Sequence, residues 1–76
     1  MKDLVEYIAK ALVTAPDQVE VIDAGREGEA EVLELRVAPD DRGKVIGKKG
    51  RTAHAIRTLL ASAGPEGHTY SLEIVD

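Results

Sequence analysis

The stretch Val45-Ile46-Gly47-Lys48-Lys49-Gly50-Arg51-Thr52 sets two lysines between two glycines, at the junction of two segments with helical patterning. On its N-terminal side, Ala38-Pro39-Asp40-Asp41 has the proline and acids favoured where a helix starts, and predicts a short helix to about Ile46 that Gly47 stops. On its C-terminal side, Ala53, Ile56, Leu59, Leu60 and Ala63 recur at helical spacing and predict a longer helix, with Gly64-Pro65 as the stop. A glycine at each end of a turn permits positive φ and presents no Cβ, so an anionic chain can come into contact with the peptide there. The free N–H groups and positive dipole end of the helix from Thr52 add a preformed anion site behind the lysines.

Outward from this junction the pattern changes period. In residues 2–14, Leu4, Val5, Ile8, Ala11 and Leu12 fall at helical spacing, with Asp3 and Glu6 placed as a capping pair and Pro16 as the terminator. Residues 18–22 alternate as a short strand, residues 24–29 with Gly25 and Gly28 read as a turn, and residues 30–38 alternate again with Leu33, Leu35 and Val37 on one face. Tyr70, Leu72 and Ile74 share a face of a last strand over residues 69–75. The order is α-β-β-α-α-β. Three strands and three helices in so short a chain predict a two-layer α+β fold, a three-stranded mixed sheet with the helices on its one apolar face. The hairpin is antiparallel, and the return through two helices brings the last strand beside the second one in parallel.

With 76 residues, 32% of them charged, the chain makes one domain, residues 1–76, with a thin core and no room for a deep enzyme cleft. It has no cysteine, which removes disulfides and thiolate chemistry. The absence of a long apolar run or a basic, apolar leader at Met1-Lys2-Asp3-Leu4 leads to the expectation of a cytoplasmic protein with no membrane partner. The net charge is −4, yet it is unevenly spread: Arg42, Lys44, Lys48, Lys49, Arg51 and Arg57 give residues 42–57 a charge of +6 with no acid among them, while the rest of the chain holds −10. An acidic body with one basic segment points to a local anion site.

Catalytic readings are poorer. Gly43 to Lys49 departs from a P-loop in spacing, and Lys49 stands where a magnesium-binding hydroxyl is needed. Asp40 and Asp41 are accounted for by a helix start, His68 follows a glycine turn, and His54 lies near Arg51 on the exposed side of its helix, where it could touch phosphate. The chain is read as no enzyme, with no metal and no cofactor.

Val45-Ile46-Gly47-Lys48-Lys49-Gly50, followed by Ala53 and Ile56, resembles the GXXG signature of a KH domain, an RNA-binding module whose loop clamps the nucleotide backbone. The element order is that of the type II KH fold, and residues 37–60 resemble most the small bacterial single-KH proteins of the KhpA family. The resemblance implies single-stranded RNA as partner. It implies that Gly47, Lys48, Lys49 and Gly50 hold the backbone with help from Lys44 and Arg51, with Thr52, His54 and Arg57 completing the candidate surface. It implies a base groove floored by residues drawn from Val45, Ile46, Ala53, Ile56 and residues 35–37, some of which must serve the core instead. Stacking platforms are missing, since the only aromatics are Tyr7 and Tyr70, both expected on apolar faces. The family also implies a homodimer, or a heterodimer with a larger KH-domain RNA-binding protein, and a role as RNA chaperone or post-transcriptional regulator in cell growth and envelope synthesis. Two other readings of the residues stay open: a DNA-binding helix-turn-helix protein, and a protein–protein adaptor that keeps the fold.

Overall fold

The computed structural model describes residues 1–63 and 69–75; Gly64-Pro65 and His68 lie outside the described residues. The chain runs α1 (Lys2–Leu12), β1 (Glu20–Glu27), β2 (Ala30–Arg36), α2 (Arg42–Ile46), α3 (Arg51–Ala63) and β3 (Thr69–Val75), with single 3₁₀ turns at Pro16–Gln18, Pro39–Asp41 and Lys48–Gly50. β2 is the middle strand, paired antiparallel with β1 and parallel with β3, so the expected α+β topology with its mixed sheet is the one observed.

One sheet face carries the core. Leu33 and Leu35 pair laterally with Leu72 and Ile74 of β3, and Leu35 also faces Val21 of β1. Onto this row pack Val5 and Ala9 of α1, Val45 of α2, and Ile56 and Leu60 of α3, all buried. Each of these side chains removes apolar area from water, worth roughly 1.5–3 kcal/mol for a fully buried Val, Leu or Ile and less for Ala9, and with no disulfide this burial is what opposes chain entropy. On the other face, Ile22, Glu34 and Glu73 lie side by side across the three strands.

Several details differ from the sequence reading: β1 starts at Glu20 and β2 stops at Arg36, each two residues inside the expected end. α1 ends at Leu12, before Pro16, and its buried residues are Val5 and Ala9; Ala11 is exposed. The Asp3–Glu6 capping pair does not form, because Met1 is the N-cap and Asp3 already lies within the first turn; Glu6 Oε1 accepts from Lys10 Nζ at 2.7 Å, a helix-surface pair one turn apart whose hydrogen bond and charge lower the Glu6 pKa. The expected turn over residues 24–29 is mostly strand. A bulge between Asp23 and Arg26 absorbs one extra residue, with Gly25 at φ 93° and its N–H donating to Asp23 Oδ1 at 3.1 Å, and the ladder resumes to Glu27. Only Gly28 and Glu29 remain as the loop, Gly28 at the positive φ that a two-residue hairpin demands.

Asp41 has a different role from the one expected of an acid at a helix start. Its side chain makes no capping bond to α2 and is 1% exposed. Thr14 donates to Oδ1 through its backbone N–H at 3.0 Å and its hydroxyl at 2.7 Å, and the Ala15 N–H donates to Oδ2 at 3.1 Å. The Thr14 backbone and hydroxyl bonds, with the Ala15 bond and the Lys44 charge, hold this carboxyl below the usual carboxylate range against the opposing effect of burial. A pKa depressed in the folded state contributes stability that is complete above the unfolded pKa and is lost as pH falls through the folded one. Urea denaturation should therefore show stability falling from about pH 4 downward, with Asp41→Asn less stable than the parent at neutral pH and flatter across the acid range. Parallel pH profiles for the two proteins would assign the acid sensitivity to other carboxylates.

Candidate nucleic-acid interface

Two helices meet here within four residues, and the backbone shows how. α2 stops at Gly47, whose N–H still donates to the Gly43 carbonyl at 2.8 Å while its own φ of 77° and ψ of 169° lie in a region essentially closed to residues with a side chain. A Cβ there would run into the Thr52 side chain and stand 2.8 Å from the Thr52 backbone nitrogen. Lys48 to Gly50 form one 3₁₀ turn, closed by the Gly50 N–H on the Gly47 carbonyl at 3.1 Å. Within it Lys49 is left-handed at φ 58° and ψ 26°, the only non-glycine residue with positive φ among those described, and Gly50 follows at φ 75°. α3 then begins at Arg51 with ordinary helical angles. A Cβ on Gly50 would meet nothing within 4 Å, so the two glycines serve different ends: the first permits contact with Thr52, the second leaves its outer side open.

Lys44, Lys48, Lys49 and Arg51 are all exposed, and no hydrogen bond or ion pair with a described residue holds their side-chain charges. The nearest acid on the N-terminal side of α2, Asp41, spends its carboxylate on Thr14 and Ala15. The positive end of α3 stands behind the loop. The result is an accessible, uncompensated cationic turn whose backbone is open on one side, geometry suited to a phosphate chain.

The other candidate residues divide. Val45, Ala53 and Ile56 are buried at 0%, 3% and 3%, and Leu35 and Val37 are equally sunk, so these are core. Ile46, at 37%, is the aliphatic residue that reaches the surface beside the loop. Thr52 is half-buried against Gly47. His54 is exposed on α3, where its carbonyl accepts from the Thr58 hydroxyl at 3.0 Å. The structure does not bring Arg57 to the loop: its Nε and Nη2 donate to the Leu72 carbonyl of β3 at 3.3 and 3.2 Å, tying α3 to the outer strand. Tyr7 departs from its expected apolar environment and is 74% exposed on α1, whereas Tyr70 packs against the core. Sequence reasoning missed the role of Asp41; the signal available, an acid just ahead of a helix, is the same for a cap and for a long-range anchor.

A family model described as the KhpA/KhpB KH domain matches residues 2–74. The RNA-binding protein KhpA of Treponema pallidum is 51% identical over 76 residues, covering 99% of this chain and 94% of that relative. The RNA-binding protein KhpA of Clostridium acetobutylicum is also 51% identical, over 99% of this chain and 100% of the relative, and that of Streptomyces coelicolor is 44% identical over 100% and 95%. No solved structure was found to match.

The two glycines should separate in a denaturation experiment. Gly47→Ala is expected to lose about 2 kcal/mol or more, because a forbidden φ/ψ and a collision coincide, and Gly50→Ala about 1 kcal/mol, from φ alone. Equal losses would show that Thr52 yields to the added methyl.

Proposed function

Because this chain belongs to the KhpA/KhpB KH-domain family, we propose that it binds single-stranded RNA, clamping the sugar-phosphate backbone on the Gly47-Lys48-Lys49-Gly50 loop with Lys44 and Arg51 alongside. The observation that carries this reading is the loop itself: two exposed lysines, one of them in a conformation costing on the order of 1 kcal/mol, stand between glycines with no described side chain to neutralise them. A structural turn has no need of charge there, and a phosphate backbone does. The names of the relatives, RNA-binding proteins of the same length class, support the same ligand.

Base contacts are few. Ile46 offers apolar surface next to the loop, Thr52 and His54 offer polar groups on the first turn of α3, and no aromatic residue flanks the loop in sequence. One copy therefore binds weakly and with little sequence preference, and pairing raises affinity by effective concentration. We place the protein in the cytoplasm as a homodimer, or as a heterodimer with a larger KH-domain RNA-binding protein, acting as an RNA chaperone or post-transcriptional regulator in growth and envelope synthesis. Leu59, half exposed on α3, leaves apolar area for such a pairing. A helix-turn-helix reading is less well supported, since Ala53 and Ile56, on the part of α3 that would face bases, are buried in the protein.

Fluorescence anisotropy with a labelled short single-stranded RNA tests the clamp. Lys48→Asp with Lys49→Asp should abolish binding while leaving the melting temperature nearly unchanged, and unlabelled duplex DNA should compete poorly. An undiminished affinity in the double variant would overturn the assignment. With three or four phosphates neutralised, the slope of log K against log salt should be about −2 to −3. Lys49→Asn, which tolerates a left-handed backbone better, should keep or raise stability by up to about 1 kcal/mol while weakening RNA binding, a trade that identifies the lysine as kept for its charge.

A further inference from the structure

Asp41 stands one residue ahead of α2, and its side chain is the buried charged group of the described core. Its carboxylate collects three donors, from Thr14 and Ala15, 27 and 26 residues earlier in the chain. Both residues lie between the end of α1 and the 3₁₀ turn at Pro16–Gln18, outside either ladder of helical bonds, and the carboxylate supplies their N–H groups with an acceptor. The capping bond to α2 that this carboxylate could have made is absent. The interaction is therefore directed at joining two distant segments.

α2 has only five residues, about one and a half turns, and is too short to hold its own direction. It is held at both ends. At the far end, Val45 is sunk in the core and Gly47 touches Thr52 of α3. At the near end, Asp41 is fastened to the segment following α1. Lys44 and the two loop lysines are carried between and just beyond these anchors, so any tilt of α2 moves them relative to Arg51 and the first turn of α3.

We infer that Asp41 is a positioning residue of the phosphate site, its carboxylate anchoring the start of α2 to Thr14 and Ala15 and thereby setting where Lys44, Lys48 and Lys49 stand against α3. The inference rests on the RNA-binding reading above. An asparagine at this position keeps one oxygen, but its amide NH₂ then faces a backbone N–H donor, either that of Ala15 or that of Thr14 beside its hydroxyl. The anchor loosens although no phosphate contact is removed.

The test compares Asp41→Asn, Thr14→Val and Thr14→Ser with the parent and with the Lys48→Asp, Lys49→Asp protein. All are measured well below their melting temperatures, by anisotropy with a random-sequence short single-stranded RNA and by amide NMR spectra of the free proteins. Asp41→Asn and Thr14→Val should bind about three- to tenfold more weakly with an unchanged salt slope, since the phosphate-contacting groups remain but are displaced. Thr14→Ser, which keeps the hydroxyl, should bind like the parent. The amide resonances of Gly47 and Gly50 should shift in the two weakened variants. If Asp41→Asn and Thr14→Val melt earlier yet bind as the parent does, with Gly47 and Gly50 unmoved, Asp41 serves stability alone and the inference is wrong. Failure of the lysine variant to lose RNA would instead strike the RNA-binding reading, while the glycine resonances still decide whether Asp41 positions the loop. Should Asp41→Asn not fold, the Thr14 pair carries the comparison.

Discussion

At Gly47 the chain turns through φ 77° and ψ 169° with the Thr52 side chain and backbone nitrogen occupying the space a Cβ would need, so α2 can stop and α3 can start four residues later only because that atom is missing. The rest of the helical layer follows from this closeness. With the two helices joined so tightly, Val45 on one and Ile56 and Leu60 on the other reach the same row of sheet residues, Leu33, Leu35 and Leu72. Moving the junction outward by the width of a methyl group would separate those side chains from one another. The glycine that shapes the cationic turn is thus also a packing residue, and its two roles cannot be varied independently.

The division of labour along α2 and α3 explains why the site is cationic and not apolar. A domain of this size has a thin core, and it draws on nearly every aliphatic side chain of the junction to complete it. Val45, Ala53 and Ile56 face inward, which leaves Ile46 and the long basic side chains to face outward. The acids of residues 40 and 41 could have cancelled part of that charge. Asp41 does not, because its carboxylate is turned toward Thr14 and Ala15 and buried there. A buried carboxylate with three donors is stabilised as the anion, and both of its oxygens are engaged by the segment that follows α1.

Arg57 shows a related economy on the opposite side of α3. Among the described residues β3 has a neighbouring strand on one side only, so part of its backbone polar groups face away from the ladder. The guanidinium reaches the Leu72 carbonyl with two of its nitrogens, holding α3 to the strand at the same place. Its charge belongs to the basic segment of the sequence, but its geometry belongs to the sheet.

The sequence by itself determined the element types, their order and the mixed sheet, because the periods of 2 and 3.6 are local properties and the right-handed return through two helices leaves few topologies. It also determined the cationic loop, since glycines bracketing two lysines permit positive φ and leave the backbone open whatever surrounds them. Strand ends were less legible: residues 24–29 look like a turn in sequence, and the bulge at Gly25 that extends β1 through them exists only because β2 offers a ladder to resume. The tertiary structure alone decided which aliphatic residues are core and which face solvent, because Val45 and Ile46 are adjacent and equally apolar and only the position of the sheet distinguishes them. It alone decided the partners of Asp41 and Arg57, whose hydrogen bonds reach across 26 and 15 residues, distances over which composition and spacing carry no information about contact.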